Sequence, residues 1–349
     1  MKNKIFEKGF GMKILNGVAV GSVVVLIPGA LLNELFKALL PVFPQGQFVL
    51  NATALAMTMM GVAVGVAISM MFKFTPIQTV SVAMATGMGS GAWKLTADGF
   101  LFKGSGDIIN MTLTATIAVI MVLYFGNRFK AYTMLLVPTL ILIVAGGLGL
   151  FLLPYVQKIT GAVAQGISYL LDLQPIVMSV LMAIIFAMMI VSPLSTVGIA
   201  LAVNLAGVGS GAANVGICAA AFGLAITGWK SNEVGTNIAL ILGSPKMAMP
   251  NVIKQPKIMM PILANAAVSG LVCAILGQQG TPMSAGFGIS GLIGPVNAIN
   301  LAGGWTFPNI LRATITFVVV PVALAFLFRY VFVNMKKMVK SEDYFIDVQ

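Results

Sequence analysis

Apolar residues fill whole stretches of this chain, separated by short polar or Gly/Pro-containing gaps. The runs fall near residues 15–40, 48–72, 76–92, 108–126, 131–153, 175–206, 212–228, 236–250, 258–277, 285–303 and 311–333. A helix that is hydrophobic all round needs apolar surroundings on every side. At roughly 20 residues per crossing, the pattern predicts an all-α polytopic membrane protein with about ten transmembrane helices. An odd number of full crossings would part the two basic ends of the chain, so at least one run is expected to be re-entrant. The best candidate is 282–304, which is glycine-rich and opens Thr281-Pro282-Met283-Ser284. Irregular backbone at membrane depth is tolerated only where it is buried in protein or lines a wet cavity.

A motif set occurs twice in the same order. The first copy reads Thr75-Pro76-Ile77-Gln78-Thr79-Val80, then Gly87-Met88-Gly89-Ser90-Gly91-Ala92, then Trp93-Lys94 and Gly99. The second reads Ser192-Pro193-Leu194-Ser195-Thr196-Val197, then Gly207-Val208-Gly209-Ser210-Gly211-Ala212, then Trp229-Lys230 and Gly235. Pro138 with Gly147-Leu148 likewise matches Pro261 with Gly270-Leu271. Duplicated membrane units with Gly/Pro-broken segments in matching places point to a secondary transporter whose site lies where the copies meet. The expected organisation is a single membrane domain over 1–349. It comprises an N-terminal helix (1–47), repeat 1 (48–152), an interfacial connector (153–174), repeat 2 (175–281), and a re-entrant segment, last helix and basic tail (282–349).

Composition sharpens this picture. With 59% hydrophobic and 8% charged residues, a soluble globular domain is excluded. The net charge of +11 reads as membrane orientation rather than nucleic-acid affinity. Lys2, Lys4, Lys8 and Lys13 precede the first run, and Lys336, Lys337 and Lys340 follow the last. Arg128 with Lys130, and Lys254 with Lys257, occupy short gaps, so all of these and both termini are expected on the cytoplasmic side. The basic start has the outline of a signal peptide, but the polytopic continuation argues against that. Histidine is absent, which removes the usual metal ligand and near-neutral acid–base group. Cys218 and Cys273 form no disulfide framework or metal spacing. No nucleophile–base pair, metal cluster or phosphate loop is visible, so neither a cofactor nor an enzymatic role is expected.

Candidate solute contacts come from three groups. Gly87, Gly89, Gly91, Gly207, Gly209 and Gly211 lack side chains, so a ligand or another backbone can approach closely. Close helix packing through small residues is the competing reading. Ser90, Ser210, Gln78, Thr79, Ser195, Thr196, Asn214, Asn237, Ser244, Asn265 and Asn297 are neutral donors and acceptors in apolar surroundings. Singly such residues are more often interhelical glue; as a group, they suggest a polar cavity near the second copy, where Asn110, Asn204 and Asn300 add to the count mainly on that side. Among ionisable groups, Lys94 with Asp98 and Lys230 with Glu233 lie at helical contact spacing and can pair at a surface, and Glu34 with Lys37 reads as interfacial. Lys246 stands apart: it sits between Pro245 and Pro250 in a segment that cannot be a regular helix, and intramembrane charge is costly, so it reads either as a cytoplasmic lysine snorkelling to the interface or as a cation facing an anionic solute.

The residues around that lysine carry a resemblance. Ser244-Pro245-Lys246-Met247-Ala248-Met249-Pro250, continuing through Gln255-Pro256-Lys257-Ile258-Met259-Met260-Pro261, resembles the I-T-E-G-A-I-P-F-A-A-A-D-P-L-R-V-I-P signature of fructose-type permeases, enzyme IIC of the bacterial phosphotransferase system. Pro250, Pro256 and Pro261 coincide with its prolines. Over nearly its whole length, including Pro28-Gly29-Ala30-Leu31-Leu32 and Phe43-Pro44-Gln45-Gly46-Gln47-Phe48, the chain is similar to stand-alone enzyme-IIC-like proteins of the perfringolysin-regulator-like type. The resemblance implies a multi-pass protein of the bacterial plasma membrane, surrounded by lipid and paired as a homodimer, with separate IIA/IIB components or a regulatory partner possible. Two departures matter. Lys246 replaces the family glutamate, which holds a sugar hydroxyl for phosphoryl transfer, and Gln255 replaces the Asp before Pro256. A protonated lysine cannot accept that hydrogen bond. The 349 residues also hold no phosphocysteine or phosphohistidine module, so phosphorylation-coupled import is not expected of this chain alone.

The expected function is therefore a permease that moves a small polar solute, sugar-like or anionic, by alternating access without its own phosphoryl transfer. Lys246 favours an anion electrostatically. The alternative is a solute-sensing membrane regulator of gene expression that retains the cavity and acts through a partner. A channel is disfavoured because no charged ring or filter repeat appears.

Overall fold

The computed structural model describes residues 9–102, 104–125 and 128–346, so Lys2, Lys4 and Lys8 lie outside the described residues. The chain divides into two compact units, Met1–Gly29 with Phe43–Ile159, and Ala30–Val42 with Thr160–Gln349. Two of their boundaries fall within long helices, α1 (Phe10–Leu39) and α6 (Thr133–Leu170), and the third falls in the turn after α1.

In the first unit, α2 (Gln47–Thr58) and α3 (Met60–Met71) follow α1 and meet at a bend of 56°. Helix α4 (Pro76–Met88) begins at a reciprocal cap: the Gln78 amide N–H donates to Thr75 Oγ1, and Gln78 Oε1 accepts from the Thr75 amide. Small residues bring these helices together. A Cβ on Gly65 would sit 2.6 Å from Ala83 Cα, and one on Gly21 would sit 2.6 Å from Val64 Cα. After α4 the chain forms a hairpin, β1 (Trp93–Thr96) against β2 (Gly99–Phe102), with Trp93 opposite Phe102. Helices α5 (Ile108–Phe125) and α6 complete the unit. The π-wide turn at Ile141–Gly146 follows Pro138, which cannot donate to the helical ladder. Residues 153–170 continue α6 without a break.

The second unit is built around α9 (Gly207–Gly228), which is buried throughout from Gly209 to Gly228. Before it come α7 (Pro175–Ile190) and the short α8 (Thr196–Ala202). After it come α10 (Val234–Gly243), α11 (Met249–Lys254), α12 (Pro256–Ile275), α13 (Ile293–Leu301) and α14 (Phe307–Met335). Glycines set the core distance: a Cβ on Gly216 would fall on the Ala183 carbonyl, and one on Gly270 would lie 2.6 Å from the Ser179 oxygen. Phe186, Met182 and Phe317 are fully enclosed in this core. The chain end folds back as well. Tyr344, 2% exposed, donates to the Ile258 carbonyl, and Asn232 and Asn251 hold the tail backbone. Burial, with Asp343 beside it, pushes the Tyr344 phenol above its usual range, so it stays a donor.

Among the described residues, six helices are long and apolar enough to cross a membrane, or seven if the bent α2–α3 pair counts as one span. The apolar runs at 76–92, 175–206, 236–250 and 285–303 instead form shorter or broken helices, because Gly, Pro and Ser interrupt the ladder within them. The two copies of the motif set also take different local forms. Gly87–Ala92 ends α4 and leads into a strand, whereas Gly207–Ala212 opens α9.

Candidate functional site

Three interruptions of regular structure lie together in the second unit. The first is Val191–Ser195, where Pro193 cannot continue α7 and Ser192 Oγ accepts from the Leu194 amide. Carbonyls at such a helix end lack intrahelical partners. The second is the turn Pro245–Ala248 between α10 and α11, opened by Ser244, whose Oγ accepts from the Lys246 amide at 3.3 Å. The third is the irregular stretch Leu276–Leu292, which links α12 to α13.

Lys246 joins the first two. Its ammonium, on a side chain that is 3% exposed, donates to the Ser192 carbonyl at 2.5 Å and to the Leu194 carbonyl at 3.0 Å. Among the described residues no carboxylate pairs with it. The charge is thus balanced by main-chain dipoles alone, at the C-terminal side of a helix where a cation is favoured. An ammonium has three donors, and two are matched here.

The third interruption is held by side chains from the helices around it. Ser210 Oγ on α9 donates to the Thr281 carbonyl at 2.9 Å. Asn214, one turn further, accepts from the Gly288 amide at 3.0 Å and donates to Ser284 Oγ at 3.5 Å. Thr281 Oγ1 donates to Asn297 Oδ1 on α13 at 3.1 Å. Thr196 Oγ1 donates to the Gly286 carbonyl at 3.0 Å, so the break that carries the Lys246 contacts also anchors the glycine-rich stretch. Gly286 and Gly288 have φ of +105° and +62°, which L side chains rarely adopt, and each closes against a neighbouring element. The result is a largely buried polar layer of hydroxyls, amides and one lysine in which, among the described residues, no carboxylate takes part.

Of the residues marked by the sequence, Lys246, Ser244, Ser195, Thr196, Ser210, Asn214 and Asn297 fall on this layer or the breaks that form it. Ser195 caps α8 by accepting from the Gly198 amide. Asn237 and Asn265 serve elsewhere in the unit. Asn237 donates to the Trp229 and Asn232 carbonyls, both at 3.4 Å, and Asn265 ties α12 to α14 through the Pro321 carbonyl at 2.8 Å. Gln78, Thr79 and Ser90 belong to the first unit, where Gln78 caps α4 and Ser90 Oγ accepts from the Ala92 amide. There Asn110 bridges the Gly89 and Gly149 carbonyls at 2.6 and 2.8 Å.

The glycines pack mainly against protein. A Cβ on Gly87 would meet Val62, on Gly89 Thr114, on Gly91 Leu153, on Gly209 Leu171 and Leu205, and on Gly211 the Gln278 carbonyl. Gly207 differs: it has open space around its Cβ position, a φ of +61° and a bridge to Gly280. Lys94 and Asp98 lie on the hairpin and its turn, and Lys230 and Glu233 in the turn after α9. All four are exposed, and among the described residues no ion pair joins either couple. Glu34 and Lys37 do pair, at 2.6 Å. Thr281 and Ser284 open the broken segment at 281–304. Their spacing of three, each hydroxyl bonding the other's backbone, was the signal of a polar turn.

A family model described as Phosphotransferase system, EIIC matches residues 12–346. No curated protein and no solved structure matches the chain.

Proposed function

Because the chain belongs to the phosphotransferase-system EIIC family, a membrane transport family, we propose that it is a permease moving a small polar solute by alternating access. The solute site is the polar layer of the second unit, formed by Thr196, Ser210, Asn214, Asn297 and Lys246. One observation carries this reading. Three breaks in regular structure meet there, and broken helices at membrane depth are how transport proteins expose backbone and polar groups to a solute. Hydroxyls and amides suit a hydroxylated solute, while a buried cation without a carboxylate favours an anionic one. Sugar acids and other small carboxylates combine both demands.

The lysine that stands where the fructose-type signature has glutamate argues against phosphoryl transfer at this site. The chain works as a homodimer in a bacterial plasma membrane, with the basic gaps and both ends on the cytoplasmic side. The regulator reading needs an element free to engage a partner. The tail Ser341–Ile346 is instead folded onto Asn232, Asn251 and Ile258 of the same chain, which favours transport.

The test is a thermal-shift screen of sugars, sugar acids, nucleosides and carboxylates, followed by uptake of the stabilising compound into proteoliposomes of the purified protein. A saturable flux is expected. Saturable binding without flux would replace the permease by the sensor.

A further inference from the structure

Apart from the polar layer, the second unit carries a partly open cleft of about 430 Å³ whose wall is almost wholly apolar. That volume falls within the roughly 300–1,000 Å³ of small-ligand sites. Ile241 of α10 contributes to the wall, and two further helices line it with matching spacing. Phe222, Ile226 and Trp229 lie at the end of α9, and Val322, Phe326 and Arg329 lie on α14, so each helix presents one face over two turns. Phe222 and Ile226 form a buried floor, each 8% exposed, while Trp229 and Phe326 flank it and are exposed.

Both rows end in a side chain suited to the edge of a bilayer. Trp229 is followed by the exposed Lys230, where the apolar helix stops, and indole rings collect at the headgroup level. Arg329 lines the same cleft, and among the described residues no carboxylate or other acceptor is bonded to its guanidinium. An apolar slot on a membrane helix pair is filled by hydrocarbon, and an unmatched planar cation at its mouth selects a phosphate-sized anion.

We propose that the α9–α14 cleft is a site for one anionic phospholipid, its acyl chain along Phe222 and Ile226 and its phosphate on Arg329. The lipid closes the cleft without contributing to the polar layer, so this site is independent of the solute reading.

The test uses full-length protein in nanodiscs with Trp93 and Trp305 replaced by Phe, leaving Trp229 as the sole indole. Quenching of its fluorescence is compared for brominated phosphatidylglycerol and brominated phosphatidylcholine at equal mole fraction. The expected result is an apparent affinity about fivefold higher for phosphatidylglycerol, the size of effect one basic side chain near a bilayer surface supplies. Arg329→Gln should remove the preference and Arg329→Lys should retain part of it. Equal quenching by the two lipids, or a preference that survives Arg329→Gln, would overturn the site. Absence of quenching by both would also overturn it and leave a second copy of the chain as the occupant. If Arg329→Gln does not fold, Arg329→Lys and the parent comparison still decide between these outcomes.

Discussion

The Lys246 ammonium lies 2.5 Å from the Ser192 carbonyl oxygen, tying together two chain breaks that are 54 positions apart. Neither break has another way to satisfy that carbonyl within its own helix. Lys246→Met keeps an unbranched side chain, one atom shorter, but leaves the Ser192 and Leu194 oxygens unmatched, at about 1–3 kcal/mol each. The variant should melt at lower temperature and lose its preference for anionic solutes in proteoliposomes. Lys246→Glu, which sets a carboxylate against those oxygens, should be worse on both counts. Uptake that is unchanged in both variants removes Lys246 from the site.

Asn214 is the second hinge of the layer, since its one amide holds both Gly288 and Ser284. Asn214→Leu keeps the branched shape and the heavy-atom count, though its methyls are bulkier, and strips these bonds, leaving a buried Gly288 amide without a partner. A stability loss of about 1–3 kcal/mol is expected, with faster hydrogen exchange in residues 281–292. Exchange rates equal to the parent would mean that the glycine-rich stretch is held by packing alone.

Much of this architecture was legible in the sequence, and what was not has a physical reason. The prolines around Lys246 mark a break in the helix but do not say whether its side chain is buried or snorkels to the interface, and its partners are main-chain carbonyls, which leave no side-chain signature. Thr281 and Ser284 stood out as a broken start. Their contacts to Ser210 and Asn214 lie about 70 positions away and cannot be read from local pattern. The glycine motifs were the least legible. Glycine serves a helix end, a helix start and a turn equally well, so Gly87–Ala92 and Gly207–Ala212 look alike as text. Gly91, with φ +72°, directs the first copy out of α4 into a hairpin, whereas Gly207, with φ +61°, directs the second into α9. The apolar runs in turn mark membrane-type helices, and Pro193 and Pro245 mark breaks in them, without showing that the two breaks meet through Lys246.

Helix packing through small residues makes a sharp contrast among glycines. Gly216→Ala places a methyl on the Ala183 carbonyl and Gly211→Ala places one on the Gln278 carbonyl, both backbone atoms that cannot swing aside. Each should destabilise by about 1–3 kcal/mol. At Gly235 a Cβ meets nothing within 4 Å, so Gly235→Ala should be neutral or stabilising by up to about 1 kcal/mol. Thermal melting of the three variants in one detergent checks the order. Equal melting temperatures would show that α9 has room the core distances deny.

The last prediction concerns the chain end. Tyr344 packs against Gly228 at the end of α9 and donates to Ile258 at the start of α12, while Asn232 and Asn251 grip the backbone on either side. This contact spans the Pro-rich segment between Lys246 and α12, so its loss should loosen that segment rather than the whole unit. Tyr344→Phe removes one hydrogen bond and should cost about 1 kcal/mol. Tyr344→Ala also removes the ring and should cost about 3–5 kcal/mol, as for a large buried aromatic. Hydrogen exchange read by mass spectrometry should rise in residues 249–258 for Tyr344→Ala and stay near the parent in α7. Uniform acceleration across the second unit would make the tail part of the general core. No change at all would mean that the docked tail contributes nothing to holding the segment that carries Lys246.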